Sequence, residues 1–278
     1  MSFWRLPESA EDVFTLFAAA DIRRTRDAHL ENLETLILAI TSRLFALKNH
    51  PSFPDPELAP EGEALNCIRV LTRILPFIYE KNGLEAWEER FFWGARRKRT
   101  RKSSITRTEV LFDEANPHSE SDPVPPTAGE EFEPAPPLME ELIDTLIDLL
   151  FYSGFTLSES FSSKAKVTYA IWQSGVGCNT PVGTTKELES NKIETLRLLL
   201  AITSKAMFIP ASQSLLPTLR NKSLPGVNGW GIDVLPVKGT RALTYMTIFG
   251  EKKVVLPTLC SLLNTVSNLT SLVQAEGR

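Results

Sequence analysis

Apolar side chains recur at steps of three and four along most of this chain, and a chain so patterned folds as helices that each bury one side. From Leu30 to Leu47 the recurring positions are Leu33, Leu36, Ile37, Ile40, Leu44 and Phe45. From about Glu63 to Tyr79 they are Leu65, Ile68, Leu71, Ile74, Leu75 and Ile78, with Arg69 and Arg73 on the other side and Pro76 placed to bend or end the helix. From Leu138 to Tyr152 they are Leu142, Ile143, Leu146, Ile147 and Leu150, while Glu140, Glu141, Asp144 and Asp148 read as a solvated face. Thr184 and Glu187 have capping-box spacing before a further helix that runs to about Phe208, with Ile193, Leu196, Leu199, Leu200 and Met207 as its inward stripe. Ser9, followed by Glu11 and Asp12, starts a shorter helix through Val13, Phe14, Leu16 and Phe17. A last helical zone begins near Gly239, breaks near Gly250 and carries Leu256, Leu259, Leu262, Leu263 and Val266 after the break.

No alternating strand pattern competes with these helices, so the expected fold is all-α: stacked amphipathic helices in a HEAT- or armadillo-like array, without a fixed repeat period. A long disordered loop is expected to interrupt it. The stretch Arg96-Arg-Lys-Arg-Thr-Arg-Lys102 is followed by Ser, Thr, Asp, Glu and Pro as far as Pro137, too little apolar content to offset the entropy of ordering. This divides the chain into a helical part at 1–93, a basic and proline-rich linker at 94–137 and a second helical part at 138–278, with a loop at about 210–236. Pro51-Ser-Phe-Pro-Asp-Pro56 ends the second helix, and Trp87, Phe91, Phe92 and Trp93 read as core aromatics that dock one helix on another. Lys166 to Trp172 fits an extended piece or a short helix equally well.

The residue types exclude more than they suggest. Lys and Arg total 30 against 34 Asp and Glu, so the net charge of −4 gives no general attraction to nucleic acid. Three widely spaced cysteines, Cys67, Cys178 and Cys260, read as buried or inert thiols in a reducing compartment rather than a disulfide framework. There is neither a signal-peptide order of residues nor an apolar run long enough to cross a bilayer, so the sequons at Asn221 and Asn268 read as chance. In Gly175-Val-Gly-Cys-Asn-Thr-Pro-Val-Gly183 the glycine spacing fits neither phosphate-binding fingerprint, Lys186 is displaced and Pro181 lacks an N–H. His29, His50 and His118 are scattered without metal-ligand spacing, and no nucleophile elbow occurs. The expectation is therefore a protein without enzymatic activity, cofactor, metal or small-molecule substrate.

One charged feature stands out. Arg96, Arg97, Lys98, Arg99, Arg101 and Lys102 put six cations in seven residues. Besides a solvated linker, they are a candidate contact for an anionic membrane surface, where each near-surface charge contributes about 1 kcal/mol; phosphorylation of Ser103, Ser104, Thr106 or Thr108 would weaken it. The rival is a nuclear-import or nucleic-acid signal in a cytosolic or nuclear binding module.

Several blocks, in order, resemble the high-temperature-induced dauer-formation family: Phe3-Trp-Arg-Leu-Pro-Glu-Ser-Ala-Glu-Asp-Val-Phe14, Ala20-Asp-Ile-Arg23, Leu65-Asn-Cys-Ile-Arg-Val-Leu-Thr-Arg-Ile-Leu-Pro-Phe-Ile78, Phe91-Phe-Trp93, Ile171-Trp-Gln-Ser-Gly-Val-Gly177 and Cys260-Ser-Leu-Leu-Asn-Thr265. Leu235 to Leu243 looks like its fungal branch. The resemblance, which extends distantly to dymeclin, implies a non-catalytic peripheral protein on the cytosolic face of the Golgi. It implies a role in vesicle trafficking and protein sorting, with trafficking machinery or a ubiquitin hydrolase among the protein partners. Three departures are expected to matter: Ser2 where a myristoylated Met-Gly start is usual, an inserted segment at about 212–232, and an early stop after Thr265 where relatives continue. As written, the chain is then a truncated, cytosolic form.

Overall fold

The computed structural model describes residues 7, 9–101, 130–159, 165–209 and 239–276. Among them are nine α-helices and two strands: α1 (Ala10–Leu16), α2 (Ala19–Ala28), α3 (Leu30–Lys48), α4 (Glu61–Tyr79), α5 (Glu85–Trp93), β1 (Arg96–Arg101), β2 (Glu130–Ala135), α6 (Leu138–Leu150), α7 (Lys186–Thr203), α8 (Arg241–Thr244) and α9 (Lys252–Glu276). A 3-10 turn, Ser204–Phe208, extends α7, and a π turn, Tyr245–Phe249, follows α8. The expected all-α fold of packed amphipathic helices is what forms. The chain divides into two compact units, one made of residues 1–82 and 143–278 and the other of residues 83–142.

In the first unit α4 is the central element, touching α1, α2, α3 and α7. Its predicted inner row, Leu65, Ile68, Leu71, Ile74, Leu75 and Ile78, is buried, and so is the row on α3 apart from the half-buried Leu36. Pro76 lies in the last turn and does not end the helix, which continues to Tyr79. The other side of α4 is not the solvent face that Arg69 and Arg73 suggest. Arg73 donates to the carbonyl of Phe17 and lies over the rings of Phe14 and Phe77, fastening α1. The side-chain amide of Asn66, itself buried, donates to the Pro7 carbonyl. Arg26 on α2 donates to the Phe77 carbonyl, Glu80 and Asp27, and Arg23 pairs with Glu80. The N-terminal helices are thus tied to α4 by polar groups as much as by area.

Ser9 caps α1 in a reciprocal box with Asp12. The cap of α7 is Thr185, whose hydroxyl accepts from Leu188 N–H, one residue later than Thr184 and Glu187 predict. The face of α7 also differs. It buries Asn191, Thr195, Leu198, Leu199 and Ile202, while Ile193, Leu200 and Met207, predicted inward, are exposed. Apolar residues run almost all round this helix, so its period does not select a side, and the contacts with α4 do. Next to it, the turn after α3 is closed by Phe53, whose ring packs on Tyr152 and Phe155 and whose carbonyl accepts from the Tyr152 hydroxyl.

In the second unit Trp87 stacks on Phe91, and both meet Phe92 edge to face, with centroids 4.9 to 5.8 Å apart. The stretch read as a wholly unstructured linker pairs at its ends. β1 and β2 are antiparallel, with Arg96 opposite Ala135, Lys98 opposite Glu133 and Arg101 opposite Glu130. The disorder expected at 102–129 and the loop expected at 210–236 lie outside the described residues.

Candidate functional site

Trp172 sits where three elements of the first unit meet. Its indole is 4% exposed, 5.3 Å from the Phe151 ring after α6 and 5.2 Å from the buried Lys192 ammonium on α7. From α9, Ser261 Oγ accepts its backbone N–H and Thr265 Oγ1 accepts its indole N–H. The segment Lys166 to Trp172, left open between strand and helix, is non-helical, and from Trp172 onward the chain forms a strap along α9.

Asn264 holds the next stretch of that strap. Its Oδ1 accepts Val176 N–H at 2.7 Å, and its Nδ2 donates to the carbonyls of Gln173 and Val176. Asn268 adds a bond to the Ser174 carbonyl. Ser261, Asn264, Thr265 and Asn268 fall at helical spacing, so one polar side of α9 satisfies the strap's backbone. Gly175 has φ +143°, and a Cβ there would lie 2.5 Å from Asn264 Oδ1, so only glycine fits. The glycine loop that invites a phosphate-binding reading is thus occupied with holding a helix.

The opposite side of α9 is open. Between it, α6, α7, α8 and the π turn lies a trough of about 810 Å³. Leu196, Leu199 and Leu200 of α7 form one wall, and Val254, Leu259 and Leu262 of α9 the other. Leu243 and Phe249 close one end. The threonine hydroxyls of the lining, on Thr203, Thr247 and Thr258, donate to the carbonyls of Leu199, Leu243 and Val254, four residues back.

Titratable groups enter the trough at one side. Asp148 Oδ1 accepts from the Tyr169 hydroxyl at 2.5 Å and its Oδ2 is 2.5 Å from Lys48 Nζ, while Asp144 accepts from the Tyr245 hydroxyl. Two acids of the predicted solvated face on α6 therefore hold aromatic side chains in place. Burial pushes the Tyr169 phenol well above its ordinary pKa, aided by the bond to Asp148 and the negative field of Asp148, Asp144 and Glu251. It is a neutral hydrogen-bond donor at any physiological pH.

Two residues of the basic run have described side chains. Arg96 is half-buried, donates to the Pro136 carbonyl and pairs with Glu141, so it is committed within its own unit. Arg97 is exposed. Lys98, Arg99 and Arg101 are placed in β1 by their backbone, and Lys102 lies outside the described residues. The cysteines form no disulfide; Cys67 is fully buried and its thiol is pushed up to about 12 by that burial, while the Cys178 thiol donates to the Thr180 carbonyl. Among the described residues there is no cluster of three or more His, Cys, Asp or Glu that could hold a metal ion, and no helix is long and apolar enough to cross a membrane.

The family model for high-temperature-induced dauer-formation protein matches residues 1–225. The chain belongs to the high-temperature-induced dauer-formation family. Across 97% of its length it is 34% identical to the fission-yeast Ubp5-interacting protein ftp105, and over about three quarters of its length it is 31% and 30% identical to the HID1 proteins of mouse and human. It spans 32% of the length of ftp105 and 24% of each mammalian protein. No solved structure matches it. In this member of the Hid1 family Asn66 and Arg73 of α4 bond to the carbonyls of Pro7 and Phe17, and Ser261, Asn264 and Thr265 of α9 hold Trp172 to Val176. The trough faces away from these contacts.

Proposed function

We propose that this chain acts as a non-catalytic scaffold at the cytosolic face of the Golgi, in vesicle trafficking and protein sorting, and that it holds partner proteins there. The observation that carries this reading is the trough between α7 and α9: an open apolar surface of about 810 Å³ on helices whose other sides are fixed by buried contacts. Such a surface suits docking of another protein better than chemistry on a small substrate. A relative named as a Ubp5-interacting protein supports protein partners, and a ubiquitin hydrolase is proposed among those of this chain. Contact of the basic strand with anionic lipid plays a smaller part, since Arg96 is already paired and the register sets acidic positions of β2 across from basic ones of β1.

The test is fluorescence localisation of the chain as it stands beside a form given a Met-Gly start and the C-terminal remainder found in its relatives. Golgi location of the extended form, with co-purification of a ubiquitin hydrolase lost on Leu200→Asp, is the expected result. Diffuse or nuclear distribution of both forms would overturn the Golgi reading and favour a nuclear binding module using the basic run.

A further inference from the structure

We propose that Asn82 is a modification site, whose side-chain amide converts to isoaspartate through a cyclic imide closed by the backbone nitrogen of Gly83, with water as the co-reactant.

The sequence supplies the pair and the fold leaves it free to react. In Asn82-Gly83 the nitrogen that must reach the amide carbon belongs to a residue with no side chain to obstruct it. Other asparagines are held: the buried amides of Asn66 and Asn191 donate to the carbonyls of Pro7 and Phe155, and Asn264 makes three bonds to the strap. Asn82 and Gly83 are both exposed, and among the described residues neither has a hydrogen-bond partner. They fall in a gap between two helices. The final turn of α4 closes with Glu80 N–H on the Pro76 carbonyl and Lys81 N–H on that of Ile78, and α5 opens with Glu88 N–H on the Leu84 carbonyl. Gly83 has φ +90°, and a Cβ built on it would meet no described atom within 4 Å. Rotation of the Asn82 side chain and backbone toward attack therefore breaks no bond and meets no neighbour.

The Gly83 nitrogen attacks Asn82 Cγ. As the new N–Cγ bond forms, the Cγ–Nδ2 bond breaks, and the proton from the glycine nitrogen leaves with Nδ2 as ammonia. Water then opens the imide at either carbonyl. Opening at the main-chain carbonyl routes the chain through Cγ and gives isoaspartate; opening at Cγ gives aspartate. Both products carry a carboxylate where a neutral amide stood, and isoaspartate also adds a carbon to the main chain. Asn82 is the last residue of the first unit and Gly83 the first of the second, so that carbon enters where the units join. The new charge sits beside Lys81, which pairs with Asp27 at 3.3 Å, and just past the negative end of α4.

The experiment ages the whole chain at neutral pH, cuts it after arginine and follows the fragment of residues 74–90 by mass spectrometry and chromatography. The second Asn-Gly pair, Asn228-Gly229, lies outside the described residues and falls in a different fragment. The 74–90 fragment is expected to convert to two acidic isomers, isoaspartate in excess, at a rate within about threefold of that in a free peptide of residues 78–88. Gly83→Ala should slow conversion about tenfold. Asn82→Gln should leave the fragment unconverted, circular dichroism showing both variants folded, and Asn66 and Asn264 should keep their amides. Conversion more than about tenfold slower in the folded chain than in the peptide means that the fold protects Asn82, and overturns the proposal. Aspartate without isoaspartate overturns the imide route.

Discussion

Asn264 completes the hydrogen bonding of a strap that has no ladder of its own. Replacing it with alanine orphans one N–H and two carbonyls, and the expected cost is about 3 kcal/mol, read from urea unfolding. Gly175→Ala should also destabilise, by about 2 kcal/mol, since φ is +143° and the new methyl meets Asn264 Oδ1. In the double variant that clash is gone, so the two losses should fall short of additive; strict additivity would mean that the two residues do not meet. At the N-terminal clamp, the Arg26 guanidinium and Lys81 hold Asp27 at a pKa of about 2, and Arg23 with Arg26 holds Glu80 below its ordinary value. A carboxylate whose folded pKa is depressed adds stability above its unfolded value near 4, and that addition is lost as pH falls through the folded value. The unfolding midpoint should therefore fall between about pH 4 and pH 2. Asp27→Asn/Glu80→Gln should flatten that fall, and an unchanged acid limb would refute the assignment.

The helices α3, α4 and α6 are legible in the sequence because each has a single apolar side, whereas α7 has several. Its start is misplaced by one residue for a related reason, since Thr184 and Thr185 are both competent caps and only the path of the chain chooses. Thr185→Ala should cost about 0.5 to 1 kcal/mol and fray the first turn of α7, and Thr184→Ala should change little. Amide exchange at Glu187 and Leu188 distinguishes the two; equal effects would put the cap elsewhere. The strand pair of the second unit escapes the sequence reading for a different reason. β1 and β2 are far apart in sequence and neither alternates apolar with polar residues, so no local window shows their pairing.

Across the whole molecule, the polar side of α9 is fixed by the strap while its apolar side is left open, the reverse of what an isolated amphipathic helix would do. A hydrophobic dye should bind the native chain, and Leu263→Glu combined with Leu200→Asp should remove most of that binding without lowering the thermal midpoint by more than about 2 °C. Dye binding that persists in the double variant would place the exposed apolar surface elsewhere.

The sequence by itself determines that this chain is helical, where most of the helices run, and that the ordered blocks belong to one family. Periodicity, capping residues and the order of motifs are local or one-dimensional properties, and a sequence carries them in full. The tertiary structure alone decides which side of α7 and α9 is covered, that Arg96 is paired, and that the glycine loop serves Asn264. Each of these depends on which partner, distant along the chain, arrives at a given face, and hydrophobicity does not specify that when both faces of a helix can be buried.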